Sequence, residues 1–127
     1  MSDVPEGLLY TSEHEWLRVE GEVGEIGITD YAQGELGDIV FVELPKPGDR
    51  IEAGKPFGTV EAVKTVADLY APVSGEVAEV NADLAEDAAR VNTDPYGAGW
   101  MIKVQLADGT GLDALLSPAA YRAHIQE

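Results

Sequence analysis

Lys64 stands out by what surrounds it. In the run Gly58-Thr59-Val60-Glu61-Ala62-Val63-Lys64-Thr65-Val66-Ala67-Asp68 it is the only charged residue between Ala62 and Ala67. Its flanks, Phe57–Val63 and Val66–Tyr70, are β-branched and aromatic enough to pair as strands. The lysine therefore sits at their bend, exposed and sterically accessible. Two chemistries suit it. It is an acceptor whose amine reaches an activated acyl group and whose finished arm then swings free, or it is one of the many solvated lysines found at turns. Spacing leaves both open. Glu61, three residues earlier, either guides a modifying ligase or solubilises the hairpin.

Other catalytic patterns are scarce. His14 has the side chain of a general base, but the sequence places no nucleophile beside it, and a structural histidine near Trp16 is the simpler expectation. The chain has no cysteine, which removes thiol nucleophiles, disulfides and thiolate metal sites. No Gly-rich phosphate loop, zinc-ligand spacing or Ser/His/Asp arrangement is present, so no metal and no catalytic residue is expected. Trp16, Tyr31, Phe41 and Trp100 read as core or edge packing.

Twenty-four acidic residues against eight basic ones give a net charge of −16, a field that repels nucleic acid and anionic membrane surfaces. That excess serves solubility, or an acidic docking surface for basic partners. No apolar run approaches the ~20 residues needed to span a bilayer. The opening decapeptide carries Asp3 and Glu6 without a basic residue, unlike a signal or transit peptide, and a cytoplasmic, bacterial protein is expected.

The elements around Lys64 are mainly β. At 127 residues one domain over 1–127 is expected. Trp16–Glu20 and Glu22–Ile28 flank Gly21 as a hairpin. Asp38–Leu44 contains Ile-Val-Phe-Val, apolar on both faces and so expected to be buried. Pro45 to Asp49 forms a turn, and Gly75–Val80 and Trp100–Leu106 are later strands. Ala82–Val91 is expected to be partly helical and Asn92–Gly99 turn-like. Thr29 caps a short helix through Asp30–Gln33 that Gly34 or Gly37 ends. Ser117 before Pro118 starts a C-terminal helix over about 118–126, with Tyr121 and Ile125 on one face. Gly37 to Val42 faintly echoes Gly75 to Val80, 38 residues on, which suits two sheet halves flanking the hairpin.

The stretch from Gly58 to Tyr70, followed by Ala71-Pro72-Val73-Ser74-Gly75-Glu76-Val77, resembles the lipoyl-lysine hairpin of the H protein family of the glycine cleavage system. Four further blocks resemble that family in order: Tyr10 to Trp16, Gly27 to Gln33, Leu36 to Pro45 and Val91 to Trp100. One departure is Ala62, where the family often has Ser; the small side chain keeps access and loses a hydroxyl. Biotin carriers place Met on both sides of the lysine, whereas Val63 and Thr65 stand here.

The resemblance implies a β-sandwich of barrel-sandwich hybrid type, with peripheral helices and a lipoyl hairpin at about 57–72. It implies lipoate amide-linked to Lys64 and a non-catalytic carrier. The arm accepts the aminomethyl group of glycine from a pyridoxal-phosphate glycine decarboxylase. A tetrahydrofolate-dependent aminomethyltransferase then takes the methylene, and an FAD-containing dihydrolipoyl dehydrogenase reoxidises the dithiol. A lipoate ligase or lipoyl transferase loads the arm. Because the loaded arm carries an amine, acidic side chains can cradle it. Glu15, in a family-like block, and Asp68, four residues beyond Lys64, are the candidates. The alternative role is a lipoate relay that passes lipoyl groups to other dehydrogenase complexes.

Overall fold

The pattern around Gly21 builds a hairpin, β2 (Glu15–Glu20) with β3 (Val23–Ile28), in which Trp16 lies opposite Gly27 and Leu17 opposite Ile26. Gly27 is required there, because any Cβ would stand 2.8 Å from the Trp16 indole. A short β1 (Leu9–Tyr10) pairs outside β2. The computed structural model describes residues 2–107, 112 and 114–126.

Thr29 caps α1 (Asp30–Leu36), accepting a hydrogen bond from the Ala32 N–H at 3.1 Å. This helix runs past Gly34 and stops at Gly37, one turn later than the shorter span read from the sequence. A glycine without φ constraint inside a helix costs about 1 kcal/mol and does not end it. Gly37, at φ +83°, does.

Then come β4 (Ile39–Glu43), β5 (Arg50–Ile51), β6 (Pro56–Ala62), β7 (Val66–Tyr70) and β8 (Gly75–Val80). Two helical turns, α2 (Asp83–Glu86) and α3 (Arg90–Thr93), lead to β9 (Ile102–Leu106) and the C-terminal α4 (Pro118–Ile125). The strands form two antiparallel sheets, β1-β2-β3-β9-β8-β5 and β4-β6-β7, which do not close into a barrel. This is the mainly β sandwich-hybrid architecture. Its core is built from both sheets, with Leu17, Ile26, Val77 and Val104 facing Val42, Val60 and Leu69. A second cluster lies under α4, where Tyr10 and Tyr121 stack at 4.7 Å beside the buried Trp16 and Ile125.

Three expectations change. Val40 and Phe41 are exposed, Phe41 by 48%, while Ile39 and Val42 are buried. The three-stranded sheet has only one face on the core, and a bulge between Ile39 and Phe41 turns both middle residues outward. The helical content expected for Ala82–Val91 occurs as the separate turns α2 and α3, the latter running into the stretch expected as turn. The echoing segments lie in different sheets: β4 borders β6 of the hairpin, whereas β8 lies between β5 and β9.

Candidate functional site

Strands β6 and β7 pair with Thr59 opposite Asp68 and Glu61 opposite Val66. The Ala62 N–H donates to the Thr65 carbonyl at 2.7 Å, which leaves Val63 and Lys64 as the two residues of the tip. Both are exposed, Val63 by 76%. Val66 and Phe41 are exposed as well, so the lysine stands in an apolar surround, with the exposed Glu61 three residues earlier and the exposed Asp38 brought beside the tip by the Val63 N–H, which donates to its carbonyl at 3.0 Å. Large exposed apolar side chains grouped in this way mark a surface that other molecules contact.

Lys64 does not project freely. Its stem lies across Gly37 at the end of α1, close enough that a Cβ on Gly37 would stand 3.3 Å from the lysine Cε. Beyond Gly37, Leu36 and Glu35 line a pocket of about 140 Å³ between α1, β2 and β7. Its walls are Ile28, Ala32, Leu36, Val60, Ala67 and Leu69, and Glu13, His14, Glu15, Glu35 and Asp68 also contribute to its lining. The pocket is thus mainly apolar, with four acidic residues in its lining.

Glu15 and Asp68, nominated separately from the sequence, line this one pocket, but they differ in environment. Asp68 is exposed. Glu15 is 2% exposed, and its carboxyl accepts from the Thr11 hydroxyl at 2.6 Å and from the Tyr70 N–H at 3.3 Å. Burial pushes its pKa up to about 7, against the pull of those two donors. At neutral pH Glu15 is therefore poised between acid and carboxylate, and a cation entering the pocket would draw it to the charged form. Glu15 also lines a second, more open cleft of about 620 Å³, reached past Tyr70 and Pro72. Glu61 lies on the exposed side of β6, opposite Phe41 and Val66, away from the pocket.

His14 is held at φ +73° with Nδ1 hydrogen-bonded to the Tyr121 hydroxyl at 2.8 Å. That hydroxyl also bonds Thr29 Oγ1 at 2.7 Å. The imidazole packs among Tyr31, Tyr121 and His124 rather than against Trp16, and burial followed by the neighbouring His124 holds its pKa below the usual value. It ties α4 to the pocket wall. Trp16 is buried with Nε1 donating to the Pro95 carbonyl at 3.0 Å, while Trp100 lies half-buried beneath the Lys103 ammonium.

Sequence reasoning missed Glu35, Glu13, Gly37 and Asn92. Glu35 was detectable: Ala32, Glu35 and Leu36 share a face at helical spacing once α1 is extended to Leu36. Gly37 carries the local signal of a helix-ending glycine, but its place under Lys64, like that of Asn92 behind it, is owed to contacts across the fold. Among the described residues no group of three or more His, Asp or Glu side chains could hold a metal ion, and no helix is long and apolar enough to cross a membrane.

Residues 8–127 match the family model described as glycine cleavage H-protein. A glycine cleavage system H protein of Carboxydothermus hydrogenoformans is 58% identical over 127 residues, covering 100% of this chain and 98% of the relative. One from Staphylococcus carnosus is 57% identical over 124 residues, 98% of each. The crystal structure of a glycine cleavage system H protein from Mycobacterium marinum superposes with a TM-score of 0.90 at 41% identity, covering 98% of this chain and 100% of that one.

Proposed function

Since the chain belongs to the glycine cleavage H-protein family, a family of lipoyl carriers, we propose that Lys64 bears an amide-linked lipoyl group and that the protein is a non-catalytic, cytoplasmic carrier. It shuttles the aminomethyl group of glycine from a pyridoxal-phosphate decarboxylase to a tetrahydrofolate-dependent aminomethyltransferase, and electrons to an FAD-containing dihydrolipoyl dehydrogenase. One observation carries this reading: an exposed lysine at a hairpin tip lies over Gly37, at the end of the helix whose Glu35 and Leu36 line the acid-rimmed pocket.

The residues present fit such a group. Apolar walls suit the hydrocarbon and sulfur of the arm, and the acidic residues of the lining suit an amine-bearing cargo. The dithiolane supplies the redox chemistry, which the chain's own side chains lack. The chain tethers, orients and shelters. Tethering makes each transfer effectively intramolecular at a docked partner. Ile28, Val60 and Leu69 exclude water from the returning arm. Glu15, with a pKa of about 7, gives up its proton as positive charge arrives, so the cradle acquires charge when it has something to hold. Asp68 adds a carboxylate on the exposed side of the pocket. Glu61, Phe41 and Val66 form the surface that a lipoate ligase or lipoyl transferase reads beside the tip.

Intact mass of protein produced with lipoate available tests the attachment, with one lipoyl increment expected and none in Lys64→Ala. Glycine-dependent release of carbon dioxide with the three partner enzymes tests the carrier role. Donation of lipoyl groups to another acceptor without support of glycine cleavage would replace this reading with a lipoate relay. For the cradle, Glu15→Ala and Asp68→Ala should each speed hydrolytic loss of the cargo from the loaded protein; unchanged rates would remove those two residues from the assignment.

A further inference from the structure

The tip that carries Lys64 is gripped from outside its own hairpin. Asn92, on α3, donates from Nδ2 to the Gly37 carbonyl at 2.9 Å and to Gln33 Oε1 at 2.9 Å, and accepts at Oδ1 from the Ile39 N–H at 2.9 Å. One amide side chain thus satisfies the carbonyl of residue 37 and the N–H of residue 39, a pair of groups otherwise left without partners where helix passes to strand. Peptide groups of an extended chain point alternately to its two edges. The Asp38 carbonyl accordingly points the other way, and it accepts from the Val63 N–H at 3.0 Å. Asn92 and the hairpin tip therefore hold opposite edges of the same three residues.

Gly37 completes the seat. At φ +83° and ψ −155° it occupies backbone space open only to glycine. Its bare face is what the lysine stem lies on, with a Cβ there falling 3.3 Å from Lys64 Cε.

We propose that Asn92 and Gly37 are positioning residues for acylation of Lys64, the clamped segment 37–39 setting the line along which the lysine amine is presented. This rests on the reading of Lys64 as the lipoyl acceptor. In the acyl transfer a bond forms between the lysine nitrogen and the acyl carbon. The bond from that carbon to its leaving group breaks, the leaving group takes the electron pair, and the nitrogen sheds its proton. The enzyme supplies the activated acyl group; the substrate protein supplies direction. Displacing a reacting atom by about 1 Å costs up to roughly a hundred-fold in rate. Asn92→Ala removes the clamp and leaves the exposed apolar contact surface intact. Gly37→Ala keeps the Asn92 side chain, strains the φ +83° backbone that it holds and places a methyl 3.3 Å from Lys64 Cε.

The test uses the full-length chain with lipoic acid, ATP and a lipoate–protein ligase, following lipoyl incorporation at Lys64 by mass. Both variants are expected to fold, with melting checked by circular dichroism, and to lose about ten-fold or more in kcat with KM within about two-fold. Acetylation of Lys64 by a small soluble reagent, which needs access but no alignment, should proceed at the wild-type rate. Amide exchange at Val63 should quicken in Asn92→Ala and serves as the second measurement if that variant is marginal. Wild-type kcat in both variants would overturn the proposal, as would equal losses with the small reagent. A wild-type chain that stays unmodified at Lys64 would instead remove the acceptor reading on which the proposal stands.

Discussion

Among single residues, Glu15 concentrates the most physical chemistry. Its ordinary pKa of 4.5 is raised to about 7 in the folded protein because burial penalises the carboxylate. Between those values the folded state holds more protons than the unfolded one. Stability from this group is therefore fully present below about pH 4.5 and is lost as pH rises through 7. Glu15→Gln abolishes that dependence. The stability of the variant relative to wild type should climb from pH 5 to pH 8 by an amount on the order of 2–3 kcal/mol, measured by urea unfolding at each pH. A constant offset is expected as well, because the amide cannot accept from both the Thr11 hydroxyl and the Tyr70 N–H. A difference that stays flat with pH would show that Glu15 is not held in its acid form. Lys64 presents the opposite case: an exposed residue whose local surroundings are ordinary and whose stem lies over Gly37.

At the scale of elements, two helices have the same start and unequal consequences. Ser117 caps α4 by accepting from the Ala120 N–H at 3.1 Å, on an exposed surface. Thr29 caps α1 in the same way, but it is fully buried and its hydroxyl also bonds Tyr121, which bonds His14. Ser117→Ala should therefore cost about 0.5–1 kcal/mol. Thr29→Ala should cost roughly 2 kcal/mol, because a cap and a buried hydrogen bond are lost together. Paired thermal or denaturant melts measure both, and equal losses would mean that the Thr29–Tyr121 bond contributes nothing. The three-stranded sheet teaches a related lesson. Apolar runs are expected to be buried, yet β4 turns Val40 and Phe41 outward because its second face has no layer to pack against.

Over the whole molecule the dominant property is the charge of −16. A field of that size steers partners with basic faces and is screened by salt. Raising ionic strength from about 0.01 to about 0.15 M shortens the Debye length from roughly 30 to 8 Å. The concentration of this protein that half-saturates its partner enzymes should rise accordingly, measured in the reconstituted glycine-dependent reaction, with little change in maximal rate. Insensitivity to salt would assign the acidic excess to solubility alone.

Much of this protein is legible in the chain. Strand and turn residues mark β2, β3, β6 and β7, the Ser117-Pro118 pair marks the start of α4, and the ordered blocks from Tyr10 to Trp100 identify the family. These signals are local, and local propensity and pattern are carried by neighbouring residues. Other features arise only when distant segments meet. The two-residue strands β1 and β5 exist through their partners. The raised pKa of Glu15 exists through burial in the folded protein. The seat for Lys64 joins Gly37, Asp38 and Asn92 across 53 to 55 residues of intervening chain. Burial, desolvation and a hydrogen bond between remote residues are properties of packing, so the acid-rimmed pocket and the clamp behind the lysine were decided by the tertiary structure.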